Sequence, residues 1–307
     1  MAAITLSVTL ASCAPARVRS AQATTPAPVS QAPSPMVEQT RAHERLVERP
    51  LDGVTRTFVG PADRPVSVFI PTAAHTRDSL PVVVHFHGAA WLPHQAVAAL
   101  AFPAVSVAVN LGAGSSAYGR PFADAAAFDA LLRAVQRDLA DLTDRPVTLG
   151  PITLTSYSAG YGAVRAILRT SPAASRVQSL LLLDGLHTSY VPEGHTLADG
   201  GVLDTTNLVP FLEFARAAVR GERRLLITHS EIFPGAYAST TETADWMLDA
   251  LVLKRTAVLA WGPRGMQQLS MTRESGFELH GYAGNSAPDH VDQLHALPEL
   301  LARLLQR

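Results

Sequence analysis

Residues 151–168 read PITLTSYSAGYGAVRAIL. The first part, Ile152-Thr153-Leu154-Thr155, is β-branched and apolar and follows the breaker pair Gly150-Pro151. That composition predicts a short buried strand. From Ala159 onward, Ala163, Val164, Ala166, Ile167 and Leu168 form an apolar stripe at helical spacing. Between strand and helix lies Ser156-Tyr157-Ser158-Ala159-Gly160. A strand that passes into a helix over so few residues needs small side chains two positions either side of the central serine. Such a turn lifts Ser158 over the strand ends, above the N–H groups of the helix start. The pattern is that of a nucleophile elbow, G-x-S-x-G, with Ser156 in place of the first glycine.

Working outward, the chain has the makings of one large domain. It is 307 residues long, 47% hydrophobic and 17% charged, enough for a full core. The net charge of −1 gives no electrostatic basis for binding nucleic acid. Apolar runs such as PVVVHFH at residues 81–87 and VQSLLLL at 177–183 read as strands buried on both faces. Further strands are expected at 105–109, 225–229, 257–260 and 277–282, and a hairpin at 55–58 and 66–70. Helical periodicity marks 122–140, 208–220, 240–253 and 291–305. Strands alternating with helices predict an α/β fold with a mainly parallel central sheet and helices on both faces. Functional residues of such sheets lie at the carboxyl ends of the strands.

The chain's N-terminal part has a different character. Residues 14–40 are dominated by Ala, Pro, Ser, Thr and Gln and read as a tether without a core. Ahead of it, residues 1–13 are a short apolar stretch ending Leu10-Ala11-Ser12-Cys13, with no Lys or Arg before them. This resembles a bacterial lipobox, the missing basic residues fitting a true start upstream of Met1. The resemblance implies a signal segment, lipidation of Cys13, and a protein exported to the cell envelope and held on a membrane surface. The alternative is an incidental cysteine on a soluble secreted or periplasmic protein. Cys13 is the only cysteine, so disulfides within the chain and cysteine-based metal clusters are excluded. Residues 41–307 are expected to form a single catalytic domain.

Several strand ends carry chemistry-bearing residues. The first run ends His85-Phe86-His87-Gly88-Ala89-Ala90-Trp91; another ends Asp184-Gly185-Leu186-His187; a third ends His229-Ser230-Glu231. Late in the chain a loop leads to Asp289-His290 and a last amphipathic helix. His-Gly after a strand, then the serine elbow, then an acid, then a late histidine: this order resembles the α/β-hydrolase family, in particular its serine esterases and lipases. The resemblance spans roughly residues 50–305. It implies Ser158 as nucleophile, His290 as general base and a carboxylate to orient His290. It also implies an oxyanion hole from the backbone N–H of Ala159 and one from Ala89 or Gly88. Two acids are open, Asp184 and Glu231. Asp184 is preferred, because a charge directly after four leucines is costly unless it has a partner or reaches a cleft.

The resemblance implies hydrolysis of a carboxylic ester, of a small-molecule or lipid-like substrate, without a cofactor. A peptidase or amidase on the same fold, or a non-catalytic surface lipoprotein that binds through it, are the alternatives. No metal is expected: His85 and His87 alternate on one strand face, but no HExxH motif accompanies them. His87, Trp91, Tyr157 and His187 are expected to line the cleft. The Gly-rich residues 112–116 read as a loop over it, with Tyr118 and Phe122 as substrate contacts, and 194–207 as a lid. Nothing in the sequence fixes the oligomeric state.

Overall fold

The structure is a computed structural model that describes residues 42–306. The expectations for residues 1–13, Cys13 among them, and for residues 14–40 fall outside these residues. The chain opens with the antiparallel pair β1 (Gly53–Val59) and β2 (Pro65–Pro71), the hairpin expected from its two short alternating segments. There follow β3 (Ser79–Phe86), α1 (Trp91–Ala98), β4 (Val105–Val109), α2 (Ser115–Phe122) and α3 (Ala127–Thr143). β5 (Thr148–Tyr157) ends in the elbow and leads into α4 (Tyr161–Thr170), then β6 (Val177–Leu183). A small hairpin, β7 (Tyr190–Val191) and β8 (Val202–Leu203), precedes α5 (Val209–Val219), β9 (Arg224–His229) and α6 (Thr240–Leu251). The last part comprises β10 (Thr256–Trp261), β11 (Gln267–Glu274), β12 (Phe277–Tyr282), α7 (Ala287–His295) and α8 (Leu297–Leu305).

Ten strands form one sheet in the order β1-β2-β4-β3-β5-β6-β9-β12-β11-β10. The central strands from β4 to β12 run parallel, and both edges are antiparallel. Alternation sorts each strand's side chains. On β3, Val82, Val84 and Phe86 face one cluster and Val83 the other; on β6, Leu180 and Leu182 face the first, Leu181 and Leu183 the second. The first cluster is closed by α2 to α6 and the second by α1 and α8, with Leu294 of α7. All four leucines of β6 are fully buried, each contributing roughly 1.5–3 kcal/mol relative to exposure. A sheet covered on both faces is what the continuous apolar runs require, and this topology, with the serine turn after its fifth strand, is the α/β-hydrolase fold.

Three expectations are corrected. The helix read at 122–140 starts later, at Ala127 of α3, Phe122 being the last residue of α2, and the Gly-rich loop ends where α2 begins at Ser115. Tyr118 and Phe122 are fully buried among the core residues rather than exposed to substrate. They lie on the inner face of α2, which packs against α4 so closely that a Cβ on Gly162 would meet the Ser115 carbonyl oxygen at 2.1 Å. The helix read at 291–305 is two, α7 and α8, meeting at Ala296 with Pro298 at the start of the second. His290 therefore sits within the first turns of α7. The N-cap of that helix is Ser286, which forms a capping box with Asp289.

Candidate active site

At the end of β5 the backbone enters a single 3-10 turn, Ser158–Gly160, and continues as α4. Ser158 has φ 47, in the left-handed region that an L-residue occupies only where its surroundings enforce it. The enforcing contacts are visible at two glycines. A Cβ on Gly160 would lie 2.2 Å from the Phe86 carbonyl oxygen, and one on Gly185 would lie 2.6 Å from that of Ser158. The end of β3 and the loop after β6 thus clamp the turn from both sides. Ser156, in the position of the missing glycine, fits with its side chain fully buried, but among the described residues its Oγ has no hydrogen-bond partner.

The carboxylate of Asp184, directly after β6, is 2% exposed and surrounded by donors. Its Oδ2 accepts from His290 Nδ1 at 2.7 Å and from Ser230 Oγ at 2.7 Å. Its Oδ1 accepts from Thr240 Oγ1 at 2.6 Å and from the Ser230 N–H at 2.9 Å. Burial alone would push this carboxyl up. The bond and charge of His290, with the donors Thr240 and Ser230, outweigh burial and hold it well below the usual carboxylate range. Glu231 is placed otherwise. It is exposed, and its side chain accepts from the Gly284 N–H at 3.0 Å, bracing the loop that leads to α7. Of the two acids read from the sequence, the structure brings Asp184 to His290.

Because His290 Nδ1 donates to Asp184, Nε2 is left as the acceptor nitrogen. Tyr157 packs against this ring, 4.6 Å between centroids, and on its other side stacks on His87 at 5.6 Å. Ser158, Asp184 and His290 all line one cavity of about 260 Å³, together with His187, Ile232, Pro234, Tyr237, Thr240 and residues 285–287. Among the described residues no hydrogen bond joins Ser158 Oγ to His290. Of the four residues expected to line the cleft, His187 lies on this wall. Tyr157 is buried beneath the histidine, and Trp91 starts α1 and packs edge-on against His295 at 6.1 Å.

His87 instead anchors the loop after β3. Its Nδ1 donates to Tyr118 Oη at 2.8 Å; that hydroxyl also accepts from the Leu111 N–H and donates to Asn110 Oδ1. His85 is buried and neutral, its pKa pushed down to about 3 by desolvation. Its Nε2 must then donate to the His87 carbonyl at 2.8 Å, while Nδ1 accepts from Thr155 Oγ1 at 2.8 Å. These bonds hold His87 and Gly88 at φ 76 and 119. Among the described residues, the N–H groups of Gly88 and Ala89 donate to no other protein group. Both stand beside the elbow, since Phe86 is in register with Ser156.

Sequence reasoning missed two parts of this arrangement. Ser230 and Thr240 carry no motif; they were found only because β9 and α6 bring them to Asp184. The second is a strap. Residues 42–50, without regular structure, run along α7. His43 Nδ1 bonds Asp292 Oδ2 at 2.7 Å, Arg45 pairs with Asp292 and donates to the Pro288 carbonyl, and the Leu46 N–H donates to His295 Nδ1. His43, Asp289 and Asp292 bring ligand-type atoms within 4.8 Å of one another. His43 and Arg45 already occupy Asp292, so the group works as a clamp on the helix that carries His290.

No family model matches the chain, and no curated protein matches it. Among solved structures it is similar to a cold-adapted esterase from an Arctic intertidal metagenomic library. The identity is 13%, over 84% of this chain and 96% of that one, with a TM-score of 0.45. It is similar also to the hyperthermophilic esterase of Pyrobaculum calidifontis, at 14% identity over 85% and 83% of the two chains, TM-score 0.44. A third is the poly(3-hydroxybutyrate) depolymerase of Bordetella parapertussis, at 17% identity over 82% and 89%, TM-score 0.45.

Proposed function

We propose that this protein is a serine hydrolase that cleaves a carboxylic ester through an acyl-enzyme. One observation carries the proposal: a buried, fully hydrogen-bonded Asp184 holds His290 Nδ1 at 2.7 Å on the wall of the cavity that also presents Ser158. In the first step His290 Nε2 takes the Ser158 hydroxyl proton as Oγ attacks the ester carbonyl. The oxyanion forms beside the Ala159 N–H and the free N–H groups of Gly88 and Ala89. Collapse breaks the bond to the alcohol oxygen, and His290 returns the proton to that alcohol. Water then repeats the sequence on the acyl-enzyme and releases the acid. Asp184 keeps the imidazole in the Nδ1–H form and stabilises the cation that appears twice in the cycle. The Ser158–His290 bond absent at rest is of the kind that tightens when substrate displaces water.

The test is covalent. A fluorophosphonate probe is expected to label wild-type protein on Ser158, shown by peptide mapping, and not Ser158→Ala. Labelling elsewhere, or none, sinks the proposal. A panel of matched esters, anilides and peptides then separates the esterase reading from the amidase one. The proposal includes export and lipidation at Cys13, supported by the resemblance of residues 1–13 to a lipobox. The intact mass of the protein from its native host is expected to show a diacylglyceryl modification there; an unmodified Cys13 in the mature chain would exclude it.

A further inference from the structure

The cavity beside Ser158 holds about 260 Å³, and its composition constrains what fits it. Ile232, Pro234, the Tyr237 ring and Ala287 are apolar walls. The hydroxyls of Thr240 and Ser286 are committed, one to Asp184 and the other to Asp289. His187 is different. Its Nδ1 lies 2.9 Å from the Ala238 carbonyl oxygen, an acceptor only, so Nδ1 is the protonated nitrogen. Burial lowers the pKa of the ring, outweighing the pull toward the charged form of that carbonyl and of Asp184, whose charge and backbone also act on it. Nε2, at the far edge of the ring, therefore carries a bare lone pair. Tyr161 at 5.7 Å and Tyr237 at 5.1 Å hem the ring in and leave it little freedom to turn. Among the described residues, nothing donates to Nε2.

A substrate that fills the cavity strips water from that nitrogen. If the substrate brings a methyl group there, the lone pair is left buried without a donor; if it brings a hydroxyl, the lone pair is satisfied. We infer that His187 Nε2 is a specificity determinant and that the preferred esters carry a hydroxyl in the part that enters this cavity. The inference rests on the ester-hydrolase reading above and adds a substrate class to it. A largely apolar wall, on which Asn285 is a further polar side chain, with a fixed acceptor at His187 Nε2 selects a hydroxylated aliphatic chain over the plain one of the same size.

Pairs of esters that exchange CH₃ for OH test this. Methyl 3-hydroxypropanoate against methyl butanoate places the hydroxyl in the acyl part. 2-Hydroxyethyl acetate against propyl acetate places it in the alcohol part. The wild-type protein is expected to favour the hydroxyl member of one pair by about 10- to 100-fold in kcat/KM, and the pair that shows it identifies the part that occupies the cavity. His187→Asn keeps a donor for the Ala238 carbonyl and removes the distal nitrogen; its ratio should fall toward one. His187→Gln restores an oxygen near the Nε2 position and should recover part of the preference. A purely structural role would leave the ratio unchanged in both variants. Turnover with a ratio near one for both pairs in the wild type, or an unchanged ratio in His187→Asn, overturns the inference alone. Failure to turn over any ester overturns the hydrolase reading and this inference with it.

Discussion

Asp184→Asn is expected to lower kcat about 10⁴-fold with KM little changed, whereas Glu231→Gln keeps kcat within about threefold. The asymmetry follows from who donates to whom. The Asp184 carboxylate accepts four hydrogen bonds, from His290, Thr240 and twice from Ser230. An asparagine offers one oxygen and an NH₂ group. Turning the NH₂ toward Ser230 and Thr240 sets donor against donor, and turning it toward His290 forces the proton onto Nε2. The imidazole can then no longer receive the Ser158 proton. Glutamine at 231 keeps an oxygen for the Gly284 N–H, the one hydrogen bond of the glutamate side chain among the described residues. Steady-state kinetics on one ester decides it: similar losses in both variants would remove Asp184 from its role.

The same substitution has a signature in stability. The native carboxyl of Asp184 titrates below its unfolded counterpart, because its donors outweigh burial. A depressed pKa contributes stability that is complete above the unfolded carboxylate value, about 4, and is lost as the pH falls below it toward the native value. Asparagine lacks this contribution at every pH. The difference in Tm between wild type and Asp184→Asn should therefore be largest above about pH 5 and shrink below about pH 4. A difference that is flat with pH would mean that the carboxylate is not held ionised in the native state.

Much of the fold was readable because buried parallel strands advertise themselves. Val177–Leu183 and Val105–Val109 are dominated by Leu and Val, and their bounds in the structure match those read from the sequence. β11 was invisible for the opposite reason. Its sequence QQLSMTRE has neither an apolar run nor a clean alternation, and it forms a strand because β10 and β12 pair with it from both sides. The break between α7 and α8 was hidden because the apolar spacing continues across it. At the candidate site, order alone pointed to Ser158 and His290, which the structure places on one cavity. Order did not single out the acid: both Asp184 and Glu231 follow strands, and the choice depends on which carboxylate reaches α7 and which is spent on a loop. Ser230 and Thr240 are ten positions apart in the chain and converge only through the β9–α6 connection, which leaves no local pattern.

Gly160→Ala should destabilise the protein by about 3 kcal/mol and all but abolish probe labelling of Ser158. The backbone of Gly160, at φ −59, suits any residue, so the cause is not strain in its own dihedrals. It is space: an added Cβ lies 2.2 Å from the Phe86 carbonyl oxygen and 2.8 Å from its carbon. Those are backbone atoms at the end of β3 and cannot rotate away. Phe86 pairs with Ser156 on β5 and leads directly into His87, Gly88 and Ala89. Moving it parts the two central strands at the elbow and carries the free N–H groups away from the oxyanion. The opposite outcome is expected two residues before the nucleophile. Among the described residues the buried Ser156 Oγ has no partner, and Ser156→Ala removes that hydroxyl while keeping the Cβ, so stability should rise by about 1 kcal/mol. Urea unfolding of the two variants beside wild type measures both. If Gly160→Ala unfolds at the wild-type midpoint, β3 and the elbow are not packed as described. If it is destabilised and still labels at the wild-type rate, the loop after β3 does not supply the oxyanion donors. The small residue that the elbow cannot give up is the one after Ser158, where a main chain crosses, and the one before it has room for a side chain.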